Sequence, residues 1–245
     1  MGASVGGGPL YDSHAHLDTR TAPDAEVARA LSLGIDRVLV PAIDPARWDA
    51  LAALRDRSPS VRIAIGIHPA ALDTLEDEAL ERALAELAER ARSLGAVSIG
   101  ECGIDGRVRA PLERQVQTLE RHVEVARALD LPVVLHVVHA DASALESVHG
   151  VRGVLHGFTG APETARRWVA RGMLIGLGAR VLDPSARRIR ASARELPLGA
   201  LVLETDDADV AQLTAIAAEV AALRGAPPDE VRRVTYQNAS EHFGR

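Results

Sequence analysis

Two histidines stand two residues apart in Asp12-Ser13-His14-Ala15-His16-Leu17-Asp18, just after a short apolar run, Pro9-Leu10-Tyr11. Residues i and i+2 of a β-strand point to the same face, so His14 and His16 present two imidazoles able to grip one cation. Alone, such a pair is weak; its weight comes from ligand-type residues that close other apolar runs. Glu101 ends Ser98-Ile99-Gly100-Glu101, His136 ends Val133-Val134-Leu135-His136 and His156 ends Val154-Leu155-His156. Asp206 follows Leu201-Val202-Leu203-Glu204-Thr205. Each has a bland reading: His136 as a satisfied core histidine, Glu101 and Asp206 as helix caps, Cys102 as a small buried hydrophobe. If all six ligands meet at one place, they suffice for two divalent metal ions, with Glu101 as the bridge.

Such a meeting needs a fold that gathers strand ends. Eight short apolar runs read as buried parallel strands: Leu10–His14, Arg37–Pro41, Arg62–Ile67, Ala96–Glu101, Pro132–His136, Gly153–His156, Met173–Ile175 and Leu201–Glu204. Helical stripes alternate with them: Leu80, Leu84, Leu87, Ala91 and Leu94; Leu112, Val116, Leu119, Val123 and Ala126; Val210, Leu213, Ile216, Ala217 and Val220. Asp44-Pro45 and Asp183-Pro184 read as an N-cap followed by proline at the first helical position. Asp229–Phe243 adds a terminal helix beyond the eighth unit. At 245 residues the chain suits one α/β domain, a (β/α)8 TIM barrel over residues 9–245 with an extra C-terminal helix, preceded by a disordered Gly-rich tail at 1–8. A doubly wound open sheet is the competing fold. In a barrel of this kind the strands' carboxyl ends form the active-site mouth, and every candidate ligand falls there.

Composition excludes several chemistries. All 28 basic residues are Arg, so lysine Schiff bases, a P-loop lysine and a carbamylated-lysine metal bridge are absent. A net charge of −6 offers no global basic field for nucleic acid, and an aromatic content of 2% offers little for stacking bases. No apolar run reaches bilayer length, which argues against a membrane partner. The lack of a signal-peptide pattern and the single Cys102 give an expected cytoplasmic location without an intrachain disulfide. Helix surfaces rich in Ala and Arg, without an exposed apolar stripe, favour a monomer.

The ordered motifs resemble the TatD family of metal-dependent hydrolases, within the amidohydrolase superfamily. The resemblance rests on Asp12–Asp18, Gly66-Ile67-His68-Pro69, Gly100-Glu101-Cys102-Gly103-Ile104-Asp105, Leu135-His136, His156-Gly157-Phe158-Thr159-Gly160, Leu203-Glu204-Thr205-Asp206 and Thr235-Tyr236-Gln237-Asn238-Ala239. It spans Leu10 to Phe243. It implies a first metal held by His14, His16, Glu101 and Asp206, and a second by Glu101, His136 and His156. His68 would line the pocket against the scissile phosphate or a water. Asp206 would orient a metal-activated water or take its proton. Mixed imidazole and carboxylate ligands leave the ion open among Zn, Mn, Mg, Fe and Ni. The implied activity is hydrolysis of ester bonds as a phosphodiesterase or deoxyribonuclease, on a small-molecule ester or a single-stranded nucleic acid end.

Three places depart from the family pattern. The run His136-Val137-Val138-His139 lacks the family's Arg, Gly106-Arg107 stands where an aromatic is usual, and Asp207-Ala208 replaces Ala-Pro after Asp206. Arg107, together with Arg109, is the candidate substitute for the lost phosphate clamp. Two other readings stay open: a hydrolase of carboxylic esters, amides or lactones on the same scaffold, and a barrel that binds without catalysis.

Overall fold

The computed structural model describes residues 7–244. Of the Gly-rich tail expected at 1–8, residues 1–6 lie outside them, and the Gly8 carbonyl accepts a hydrogen bond from Arg232 Nε (2.7 Å). Eight strands lie in one parallel sheet in chain order: β1 (Leu10–Asp12), β2 (Ile35–Pro41), β3 (Val61–Ile65), β4 (Ser98–Asp105), β5 (Val133–Val138), β6 (Gly153–Leu155), β7 (Met173–Leu177) and β8 (Leu201–Leu203). The sheet closes between its first and last members. Ser13 N–H donates to Leu203 O (2.9 Å), Asp206 N–H to His14 O (2.7 Å), and Ala15 forms a parallel bridge with Asp206. The fold is a (β/α)8 TIM barrel, and an open doubly wound sheet is excluded.

Helices α1 (Pro23–Ser32), α2 (Trp48–Arg57), α3 (Asp77–Ser93), α4 (Leu112–Leu129), α5 (Asp141–Ser147), α6 (Pro162–Val169), α7 (Arg187–Glu195) and α8 (Gln212–Arg224) connect and wrap the strands. Their apolar stripes bury as the periodicity requires, with Leu80, Leu84, Leu87, Leu119, Val123 and Val220 all inside. Leu112 departs from its stripe. It is the first residue of α4, ahead of the part that packs on the sheet, and is 53% exposed. Asp44 caps a short 3-10 turn, accepting from Ala46 N–H (2.8 Å) before α2 begins. Asp183 does not cap a helix. Its carboxylate accepts from Ser185 N–H and Oγ–H (2.8 and 2.7 Å), closing a local turn that ends two residues before α7 starts.

One layer inside the barrel is built from Tyr11, Leu39, Ala64, Val134, Val154 and Val202. The final helix, α9 (Pro228–Phe243), adds Ala239 and Phe243 to that layer, and Asn238 Nδ2 donates to Leu201 O (2.8 Å) at the start of β8. Thus α9 stoppers the amino-terminal end. Two residues further along three of these strands, the same inward face carries His136, His156 and Glu204. No described helix is long and apolar enough to cross a membrane.

Candidate metal centre

Glu101 sits inside β4, whose eight residues are all buried. The β4–β5 pairing shifts register between Ile99 and Cys102, so Glu101 lies at an irregular step of the ladder. Close approach of the two strands demands glycine beside it: Gly103 has φ +153°, and a Cβ there would fall 1.8 Å from His136 O. Glu101 thereby lies between the first strand and the fifth and sixth.

The two oxygens of Glu101 face different ligand sets. Oε2 lies 3.3 Å from His14 Nε2 and 3.5 Å from His16 Nε2. Asp206 Oδ1 completes that group at 3.8 Å from His14 Nε2 and 3.5 Å from His16 Nε2. Oε1 lies 2.6 Å from His156 Nε2, 3.0 Å from His136 Nδ1 and 3.3 Å from His68 Nε2. The structure therefore brings His14, His16, Glu101, His136, His156, Asp206 and His68 together. Both Glu101 oxygens are buried without a hydrogen-bond partner. Orphaned carboxylate oxygens ringed by imidazole nitrogens are what a divalent cation on each side would satisfy, so the residues fit the implied metals.

Electrostatics point the same way. Burial, reinforced by neighbouring His156, pushes His14 down to about 3 although Glu101 opposes it, so its ring is neutral with a free lone pair. His156 goes the other way. Burial works against its charge, yet Glu101, Glu204 and Asp206 outweigh it and push it up to about 10. Burial alone would raise Glu101, but His156 and His14 hold it well below the ordinary carboxylate range. The carboxylates that raise His156 favour positive charge in this cage, which a bound cation would supply.

Outer contacts set which nitrogen each ring offers. His136 Nε2 donates to Asp105 Oδ2 (2.9 Å), leaving the Nδ1 lone pair toward Glu101. His68 Nδ1 accepts from Ala70 N–H (3.0 Å), so its neutral ring carries the proton on Nε2 and presents a donor to the site. His68 lies near enough to join a metal cluster. Its tautomer makes it a hydrogen-bond donor instead.

Four supporting residues escaped the sequence reading. Asp12, pushed up to about 7 by burial against the hydrogen bonds it accepts, takes Thr205 N–H (3.0 Å), Thr205 Oγ1–H (2.5 Å) and His14 N–H (3.3 Å), tying β1 to the turn that carries Asp206. Glu204, pushed up to about 8 chiefly by burial, accepts from Gly157 N–H (2.5 Å) and faces His156 Nδ1 at 3.9 Å. Gly176 leaves room for it, since a Cβ there would lie 2.2 Å from Glu204 Oε2. His122, buried in α4, accepts from Ile67 N–H (3.0 Å) beside His68 and pairs with Thr118 O (2.7 Å). Asp105 is the fourth. The available signal was position: Asp12 and Glu204 stand two residues before His14 and Asp206, and Asp105 four after Glu101.

Asp105 also settles where Arg107 goes. It accepts from Arg107 N–H (2.8 Å), Nε (3.0 Å) and Nη2 (2.8 Å), while the Arg107 side chain stays 63% exposed. Burial would raise Asp105, but Arg107 and His136 hold it far below the ordinary range. Arg107 is thus engaged by the carboxylate that orients His136. Asp105→Asn should weaken binding at the Glu101–His136–His156 side about 10–100-fold and leave the His14–His16 side unchanged. A metal titration with two resolved steps checks this, and equal weakening of both steps would refute it.

A family model described as TatD-related DNase matches residues 11–244. The chain is 31% identical to YjjV of Escherichia coli K12, an uncharacterised metal-dependent hydrolase, over 96% of this chain and 97% of that protein. It is 33% identical to the 3'-5' ssDNA/RNA exonuclease TatD of Cronobacter turicensis over 75% of this chain and 71% of that one. The crystal structure of Escherichia coli YjjV superposes with a TM-score of 0.88 at 29% identity, covering 96% of this chain and 98% of the other. This chain belongs to the TatD family of metal-dependent hydrolases.

Proposed function

We propose that this hydrolase cleaves phosphodiester bonds at an end of single-stranded nucleic acid with two divalent ions bridged by Glu101. The observation that carries the reading is the division of Glu101: one carboxylate oxygen faces His14 and His16, the other His136 and His156. Ions held on the two sides would acidify a bound water and offset charge growing on the attacked phosphoryl group. Asp206, its side chain 42% exposed while Glu101 is 1% exposed, is the carboxylate open to the mouth and the one placed to orient the water and take its proton. His68 donates Nε2–H toward the same space, where a phosphoryl oxygen would accept it. The nuclease name borne by the Cronobacter turicensis relative supports this substrate class.

A second reading, hydrolysis of a carboxylic ester, amide or lactone, is favoured by one observation: the Arg107 guanidinium is already paired with Asp105. Single-stranded DNA, bis-p-nitrophenyl phosphate, a p-nitrophenyl ester and a lactone, each with Mg, Mn or Zn and with EDTA, separate the readings. Metal-dependent phosphodiester turnover is expected. Ester or lactone turnover without it would replace the first reading with the second, and silence across the panel with metal bound would favour a binding module. A monomer in the cytoplasm completes the proposal. It rests on the scatter of the large exposed hydrophobics, Leu31, Leu33 and Leu112, between α1 and α4, and on the single buried Cys102.

A further inference from the structure

Beside Asp206 a hollow of about 260 Å³ opens between the loops after β6, β7 and β8, floored by Glu204, Thr205 and Asp206 and walled by Thr159 and Arg180. A second hollow of about 410 Å³ shares Thr159 and Arg180 and continues to Arg187 and Arg188 at the start of α7. The two form one groove leading outward from the water-orienting carboxylate. Its cations are available. The Arg180 side chain is 58% exposed and pairs only through Nη1 with Asp183 (2.6 Å). Arg187 and Arg188 are exposed, and among the described residues no hydrogen bond or ion pair engages their side chains. Asp207 is the opposing charge at the inner end. Its backbone carbonyl is held by Arg20 Nη2 (2.5 Å), which brings a further cation to that loop.

We propose that this groove, from Asp206 past Arg180 to Arg187 and Arg188, is the track for the backbone phosphates of a single-stranded polynucleotide beyond its scissile bond. The inference rests on the phosphodiesterase reading and deepens it. Separate cations along a continuous trough suit a polymer of regularly spaced phosphates better than one small anion. The groove also supplies the charge that is missing after His136 and that Arg107 does not provide. Contact is confined to the backbone: all six Phe, Tyr and Trp side chains are buried or half-buried, so no aromatic platform reads the bases. The track is therefore blind to sequence.

The test compares wild type, Arg187→Gln/Arg188→Gln, and a control, Arg82→Gln/Arg233→Gln, which removes the same charge from α3 and α9. Fluorescence anisotropy with a short oligothymidylate in EDTA, between about 50 and 200 mM salt, reads binding without turnover. The track variant should bind about tenfold more weakly at the lower salt, and the slope of log K against log salt should shrink by roughly 1.4, or 0.7 per lost phosphate contact. The control should match wild type, and both variants should turn over bis-p-nitrophenyl phosphate at the wild-type rate. Unchanged oligothymidylate binding in the track variant, or an equal loss in the control, overturns the track. So does polyglutamate competing as well as the oligonucleotide. Failure of wild type to cleave any phosphodiester overturns the underlying activity instead, and the anisotropy still decides the groove.

Discussion

Glu101→Ala is expected to purify with metal at trace level and with no measurable hydrolysis. Its two oxygens serve both ligand sets, so the substitution removes one ligand from each side at once and leaves His136 and His156 with no carboxylate between them. The loss has a readout besides activity. A protein that binds its ions only when folded gains about 2.7 kcal/mol at a metal concentration of one hundred times the dissociation constant, or about 5–10 °C in melting temperature for a chain of this size. Wild type stripped with EDTA should recover that shift when Mn or Zn is returned; Glu101→Ala should not. Full metal occupancy in the variant, or a melting shift equal to that of wild type, would remove Glu101 from the role of bridge.

Asp206→Asn separates chemistry from binding. Asp206 adopts φ +56°, and Asn is among the few residues that accept the left-handed region readily, so the turn should persist. His14, His16 and Glu101 still hold the first side, and the amide oxygen can approach an ion. What disappears is the acceptor for the water's proton. The expected result is a fall in kcat of about 10²–10⁴ with melting temperature and metal content close to wild type. Activity within about tenfold of wild type would sink the assignment, since one proton acceptor contributes more than that. Paired with Glu101→Ala, the variant distinguishes an enzyme that cannot hold its ions from one that holds them and cannot use them.

The candidate ligands were legible because barrel strands announce their carboxyl ends. An apolar run interrupted by His or Glu leaves few other meanings when the interruption recurs at His14, Glu101, His136 and His156. The supporting carboxylates were hidden by that same rule. Glu204 continues the inward face that Val202 begins, as His136 follows Val134 and His156 follows Val154, but a glutamate at a strand end carries no sign of which neighbour it will hold. Arg107 shows a different limit. Nothing in Asp105-Gly106-Arg107 says that the backbone will fold back and let the aspartate seize the guanidinium two residues on. Asp183-Pro184 fails similarly, since the hydroxyl and amide of Ser185 compete for the aspartate before a helix can form. Boundaries moved for a physical reason as well. β1 ends at Asp12 as a strand, yet Ser13, Ala15 and Asp206 carry its pairing onward to close the barrel.

The stoppering of the barrel by Phe243 and Ala239 of α9 bears on molecular traffic. A vessel sealed at its base has a single doorway, so substrate and departing product share one passage, and on the proposed reading that substrate is a strand. A nucleic acid cannot be threaded through and released from the far side. Each cleaved piece must back out past the next, which makes clearance of the mouth a candidate for the slowest event in the cycle.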